Sequence, residues 1–156
     1  MVFKFNSAKA VQYANTYLNK DNYFFKSFEW IEEEVSFVSQ CILAGSDNQM
    51  CKNEDGWFYD SERDYSLSWI DGDKLFAFLL KTNCGPFGRI ANESNLMIGD
   101  IVFLNNRSGE KHVGIITKSV NEEIFVSIKN KKFLECSLNS FQKFDANFIH
   151  LLGVKK

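Results

Sequence analysis

Four cysteines and two histidines are the residues of this 156-residue chain that most readily act as nucleophiles, general bases or metal ligands. They are Cys41, Cys51, Cys84, Cys136, His112 and His150. The cysteines form no CxxC pair or other spacing typical of zinc sites, and the histidines are far apart. The sequence therefore predicts no metal centre and no cofactor. It also predicts four free thiols, as in a cytoplasmic protein.

Two of these cysteines lie in contexts that argue against catalysis. Cys41 lies in an apolar helical run, which predicts a small buried side chain. Cys84 follows a predicted helix, just before Gly85 and Pro86, and nothing in the sequence places a histidine beside it. A thiol is activated at a helix start, and the second predicted helix starts with three glutamates at residues 32–34.

Composition and charge predict one domain over residues 1–156 and exclude several kinds of partner. Eighteen basic and twenty acidic residues give a net charge of −2, which argues against nucleic acid. The basic cluster at residues 129–132 is interpreted as a solvated turn. No apolar run approaches the ~18 residues of a membrane span. The first residues show no apolar signal region, so the chain as written predicts a cytoplasmic protein.

Apolar spacing predicts three helices, over residues 7 to about 19, about 32 to 44 and about 73 to 81. Apolar residues cover most of the second helix, which predicts that the rest of the fold encloses it. Gly45 is expected to end this helix in a left-handed conformation. The second helix must position the side chains at its own start, including the glutamates at residues 32–34.

Strands are predicted in the second half of the chain, after the Gly85-Pro86 break. They are expected at residues 100–104, 113–119, 124–128, 132–136 and 148–154. Helices followed by an antiparallel sheet predict an α+β fold. Residues 47–66 are polar and aromatic without clear periodicity, which predicts a long functional loop.

The run Phe37-Val38-Ser39-Gln40-Cys41 resembles the nucleophile helix of amidase-like domains, a branch of the papain-like and NlpC/P60 cysteine hydrolases. The family pattern is roughly D-C-T-N-F-V-S-Q-C, and an ungapped alignment places Glu34 on the catalytic cysteine. The resemblance covers about residues 5–153. It implies a papain-like fold, with N-terminal helices packed on a C-terminal antiparallel sheet, whose nucleophile is missing.

The same resemblance implies positions for the other members of the site. Residues 96–103 resemble the family's entry into the sheet. His112, at the start of the strand that carries the base in the family, takes the position of the base. The residue that orients the base falls on Lys129 or, with a shift of one, on Asn130. A lysine cannot accept the imidazole proton. Glu34 and His112 are too few ligands for a metal and are expected simply to pair.

Three aromatic residues, Trp57, Tyr59 and Trp69, correspond to segments that flank the substrate cleft in the family, although Trp69 is equally compatible with a core position. The resemblance implies an inactive amidase-like protein that binds a partner protein, a peptide or a cell-wall fragment. An immunity-type protein that neutralises a bacterial toxin is one form of this hypothesis. The alternative is an active amidase or cell-wall peptide hydrolase with a non-standard site.

Overall fold

Helix α2 (Ile31–Gly45) is largely enclosed in the computed structural model, which describes residues 1–156. Eleven of its 15 residues are buried, as its apolar pattern predicts. Gly45 does not adopt the left-handed conformation expected of it, whereas Asp47 and Asn48 do, with φ of 52° and 60°. Gly45 serves close packing instead, because a Cβ there would lie 2.4 Å from the Phe5 ring.

Two further helices begin at side-chain caps. Helix α1 (Ser7–Tyr17) follows Asn6, whose Oδ1 accepts a hydrogen bond from the backbone N–H of Lys9 at 3.0 Å. Helix α3 (Gly72–Lys81) follows Asp71, whose carboxylate accepts from a first-turn N–H at 2.9 Å. Such caps satisfy amide groups that have no partner inside the helix. The three predicted helices are confirmed, with ends that differ by at most two residues.

Seven antiparallel strands form the main sheet in the order β1-β9-β5-β6-β7-β8, with β4 paired to the other edge of β9. They are β1 (Val2–Lys4), β4 (Gly85–Ala91), β5 (Ile101–Asn105), β6 (Lys111–Val120), β7 (Glu123–Ile128), β8 (Leu134–Ser137) and β9 (Asp145–Lys155). A separate hairpin pairs β2 (Tyr59–Ser61) with β3 (Asp64–Tyr65). The fold is therefore α+β, as predicted, and the five predicted strands correspond to β5 through β9.

Strand β4 is absent from the sequence prediction because the Gly85-Pro86 pair suggests a break. The structure places both residues in this strand, which pairs with β9 alone. Proline lacks the backbone N–H that a central strand needs, but an edge strand leaves one side of its backbone unpaired. The edge position of β4 therefore explains how it accommodates Pro86.

The apolar core lies on both faces of the sheet. A cluster of 24 buried residues fills the space between the sheet and the helices and includes both Phe5 and Val154. A second cluster of eight buried residues, which includes Val102, lies on the opposite face. Neighbouring residues of a strand point to opposite faces, which is why Ile101 belongs to the larger cluster and Val102 to the smaller.

The centre of segment 47–66 lies in this core, whereas the sequence predicts a long functional loop. Trp57 and Tyr59 are 0% and 2% exposed. The Trp57 Nε1–H donates to Ser39 Oγ at 3.1 Å, and the Tyr59 hydroxyl accepts from the backbone N–H of Lys26 at 2.7 Å. Because their polar atoms have partners, both rings can be buried without an unsatisfied group.

A disulfide joins Cys51 to Cys84, so the prediction of four free thiols is wrong. Their Cα atoms are 5.4 Å apart, within the usual range. Cys41 and Cys136 are free. The two bridged cysteines are 33 residues apart and meet only when segment 47–66 packs beside the end of α3, which spacing alone does not reveal. The cysteines therefore do not support a cytoplasmic location.

Candidate functional site

Glu34 and His112 lie side by side where the first turn of α2 meets the start of β6. His112 Nδ1 is 3.1 Å from Oε1 and 3.0 Å from Oε2 of the Glu34 carboxylate. Both residues are buried, with 1% of Glu34 and 6% of His112 exposed. The structure thus shows the contact between them that the sequence predicts.

Two more groups donate hydrogen bonds to the Glu34 carboxylate. The backbone N–H of Val113 donates to Oε1 at 3.1 Å, and Asn130 Nδ2 donates to Oε2 at 2.9 Å. A buried carboxylate is stable only when donors replace the water that it loses. Glu34 therefore ties the start of α2 to β6 and to the turn that follows β7.

Asn130, and not Lys129, belongs to this cluster. The Lys129 ammonium group points away and donates to the carbonyl oxygens of Tyr17 and, at 2.8 Å, of Lys20. It also lies 3.4 Å from the carboxylate of Asp21. Lys129 thus links the residues at and after the end of α1 to the end of β7. Asn130 contacts Glu34 rather than His112, so neither residue orients the imidazole.

Glu110 contacts the other side of the histidine ring and has no counterpart in the sequence-based predictions. Its Oε2 lies 2.6 Å from His112 Nε2. Side chains two residues apart in an extended chain lie on the same face, so the spacing from His112 is a sequence feature that could have suggested it. His112 therefore lies between two carboxylates, one buried and one 43% exposed.

The two carboxylates change how His112 titrates. Burial, to which the nearby Phe133 ring contributes at 4.6 Å, by itself lowers the pKa of the imidazole. Hydrogen bonds and charges from Glu34 and Glu110 outweigh this effect and raise the pKa of His112 above its ordinary value. The hydrogen bond from His112 in turn lowers the pKa of Glu110. Because carboxylates only accept hydrogen bonds, the arrangement favours an imidazolium that donates from both nitrogens.

The three aromatic residues expected to line a cleft do not surround this site. Trp57 and Trp69 are fully buried and Tyr59 is 2% exposed, so none of the three rings lines an open surface, and Trp69 has the core position that the sequence leaves open. Their rings pack against one another, with the two indole centroids 5.0 Å apart. The exposed aromatic residues are instead Trp30, at 84%, and Tyr23 and Phe24, which precede α2.

No thiol is in a position to act as a nucleophile. Cys41 lies on α2 but is completely buried, and burial raises the pKa of its thiol far above the ordinary value. Cys136 lies on β8, and burial also raises its thiol pKa. Glu34 and Glu110 contact opposite nitrogens of His112, so these three side chains cannot converge on one metal ion through the ring.

Comparison with known proteins identifies the family. The family model described as "Putative amidase domain" matches residues 4–152, which is nearly the whole chain, so the chain belongs to this family. It is also 28% identical, over 102 residues, to the uncharacterized protein YhbB of Bacillus subtilis (strain 168). That match covers 64% of this chain and 32% of YhbB, so the chain corresponds to about a third of its relative. No solved structure matches the chain.

None of the helices has the length and apolar character needed to cross a lipid bilayer.

Proposed function

We propose that this chain is a catalytically inactive, papain-like amidase domain that acts by binding a partner protein or peptide. The observation that carries the proposal is the state of Glu34. The family resemblance aligns Glu34 with the catalytic cysteine. Its side chain is 1% exposed and is hydrogen-bonded to His112, Val113 and Asn130. A carboxylate held in this way is a structural anchor.

The chemistry of a carboxylate also argues against amide hydrolysis by Glu34. Attack on an amide carbon would form an anhydride and expel an amine, which is a poor leaving group. A thiolate at a helix start must expel the same amine, but it is a stronger nucleophile and forms a thioester, which is less reactive than an anhydride. Glu34 therefore retains the position of the family nucleophile without its reactivity.

The alternative is an active amidase or cell-wall peptide hydrolase with a non-standard site. The contact between His112 Nε2 and Glu110 favours this alternative, because a carboxylate in that position can orient a general base. It still requires a nucleophile, and His112 Nδ1 is occupied by Glu34. We therefore rank it second.

The partner is proposed only as a class. A peptide, a cell-wall fragment and a bacterial toxin bound in an immunity-type complex all fit an inactive hydrolase fold. The Cys51–Cys84 disulfide indicates that the protein acts in an oxidising compartment, because cytosolic reductants keep most thiols reduced. Partner capture under non-reducing conditions is the appropriate search.

Hydrolysis assays separate the two functions. The wild type and a Glu34→Gln variant should release the same background amount of product from acyl-peptide and peptidoglycan amide substrates. Glutamine keeps the shape and an acceptor oxygen, so loss of folding is a smaller risk than with alanine. Wild-type turnover that disappears in Glu34→Gln would establish the active alternative.

A thiol placed at residue 34 tests whether the site still has the geometry of a cysteine hydrolase. In a Glu34→Cys variant, the helix start and His112 should lower the thiol pKa below the free value of about 8.5, measured by iodoacetamide labelling against pH. Glu32→Cys is the matched control, because it shares the helix start but Glu32 does not contact His112. Identical pH profiles for the two thiols would contradict the proposed site geometry.

A further inference from the structure

A cleft of about 470 Å³ opens beside His112, and its lining has a definite chemical character. The starts of α2 and α3 form part of its wall, and the facing ends of β5 and β6 form another part. His112 and Val113 belong to the lining, so the cleft borders the site described above. Its volume falls in the range of clefts that bind small molecules or short peptide segments.

Acidic side chains dominate the charge of this cleft. Glu32, Asp71 and Asp73 line it, and the one lysine is Lys111. Lys111 Nζ lies 3.2 Å from the Asp73 carboxylate, so this cation is already matched by an acid. Glu32 and Asp71 form no salt bridge within the chain. The His112 imidazolium is matched by Glu34 and Glu110, so Glu32 and Asp71 remain without a cationic side-chain partner, although Asp71 also caps α3.

Apolar side chains form a second part of the lining. Phe76 and Phe103 meet edge to face with ring centroids 5.1 Å apart, and Ile31 also lines the cleft. All three are only partly buried. An occupant therefore gains most if it combines a positive charge with an apolar group.

We propose that this cleft binds a segment of the partner protein in which a lysine or arginine lies next to an apolar side chain. The proposal rests on the proposed binding function and names the chemistry of the segment. The basic group approaches Glu32 and Asp71, while its apolar neighbour packs against Phe76 and Phe103. Both ring nitrogens of His112 already have Glu34 and Glu110 as hydrogen-bond partners. The imidazole therefore forms no hydrogen bond with the bound segment.

Fluorescence anisotropy with labelled tripeptides tests the proposal on the intact protein. The probe has lysine between two leucines, and the matched peptides replace lysine with norleucine or with glutamate. Saturable binding of the lysine peptide is expected, with a dissociation constant below about 1 mM. The norleucine peptide should bind about threefold more weakly and the glutamate peptide more weakly still, since one exposed ion pair contributes only modestly to binding.

Variants assign the binding to this cleft. Glu32→Gln and Asp71→Asn should each weaken the lysine peptide about threefold, and asparagine still caps α3. Glu123→Gln is the matched control, because Glu123 begins β7 at the far end of the β6–β7 hairpin from Lys111. Equal binding of the three peptides, no saturable binding, or equal effects of Glu32→Gln and Glu123→Gln would each overturn the proposal. Such results would overturn the proposed cleft specificity without bearing on whether the protein is catalytically inactive. Cleavage of the probe peptide would instead refute catalytic inactivity.

Discussion

Glu34 gives the start of α2 a structural role. The positive end of the α2 dipole favours an anion there, whether thiolate or carboxylate. A carboxylate, however, offers two acceptor oxygens, and here they receive hydrogen bonds from His112, Val113 and Asn130. These hydrogen bonds thus stabilise the junction between helix and sheet.

The pair of Glu110 and His112 predicts a pH-dependent contribution to stability. The pKa of His112 is raised on folding, so its contribution is complete below the ordinary value of 6.5 and is lost as pH rises through the folded value. The pKa of Glu110 is lowered, so its contribution is complete above 4.5 and is lost as pH falls through the folded value. Their attraction is therefore greatest between these two limits.

A Glu110→Gln variant should accordingly lose stability relative to the wild type at about pH 5.5 and lose less at about pH 9, because the pairing weakens as rising pH removes the proton of His112. Urea unfolding at the two pH values measures the difference. Glu123→Gln, which removes an exposed charge far from His112, serves as the control. A Glu110→Gln effect that is equal at both pH values would show that the imidazolium does not pair with this carboxylate.

At the scale of the elements, the aromatic segment around β2 supports the core. Trp57→Ala should lower the free energy of unfolding by about 3–5 kcal/mol, because it removes a fully buried indole and leaves a cavity. Chemical denaturation followed by circular dichroism measures this loss. Trp30→Ala removes an indole that is 84% exposed and should have little effect on stability. Similar small losses in both variants would show that segment 47–66 does not pack as described.

The disulfide connects this segment to the short link between α3 and β4. Its two cysteines are 33 residues apart, and by the chain-entropy model a bridge over such a loop stabilises by about 3–4 kcal/mol. A Cys51→Ser, Cys84→Ser double variant should unfold at a correspondingly lower denaturant concentration. Thiol titration of the unfolded, unreduced wild type should find only Cys41 and Cys136. Four titratable thiols would contradict the bridge.

At the scale of the whole molecule, the larger core cluster contains residues from both ends of the chain, including Phe5 and Val154. We therefore expect one cooperative unfolding transition, because neither end can leave without exposing the shared core. Tryptophan fluorescence, which reports mainly on Trp57 and Trp69, should give the same midpoint as far-ultraviolet circular dichroism. Two separated transitions would indicate independently folding parts.

The sequence predicts the parts of this fold that have local periodicity. The apolar pattern of residues 32–44 identifies α2, and the apolar run of residues 124–128, which is rich in β-branched and aromatic side chains, identifies β7. Strand β4 escapes prediction because the tolerance of Pro86 depends on its edge position. Trp57 is misinterpreted because the segment around it shows no clear periodicity, whereas its burial depends on distant residues such as Ser39.

The candidate site also contains residues that the sequence predicts and residues that only the structure reveals. The resemblance and the helix start place Glu34 opposite His112, but the choice between Lys129 and Asn130 depends on how the turn after β7 is folded. Glu110 has the required spacing from His112, yet only the folded turn before β6 brings its carboxylate to Nε2. Side chains that act through tertiary contacts therefore require the structure.

The enclosed imidazole also provides a spectroscopic probe of the protein. Hydrogen-bonded ring N–H protons that are shielded from water exchange slowly, and such protons resonate far downfield in proton NMR spectra. The chain has two histidines, so replacing His150 suffices to assign the signals of His112. Since His112 lines the cleft, these signals should shift when an occupant enters, which allows binding to be followed without a label.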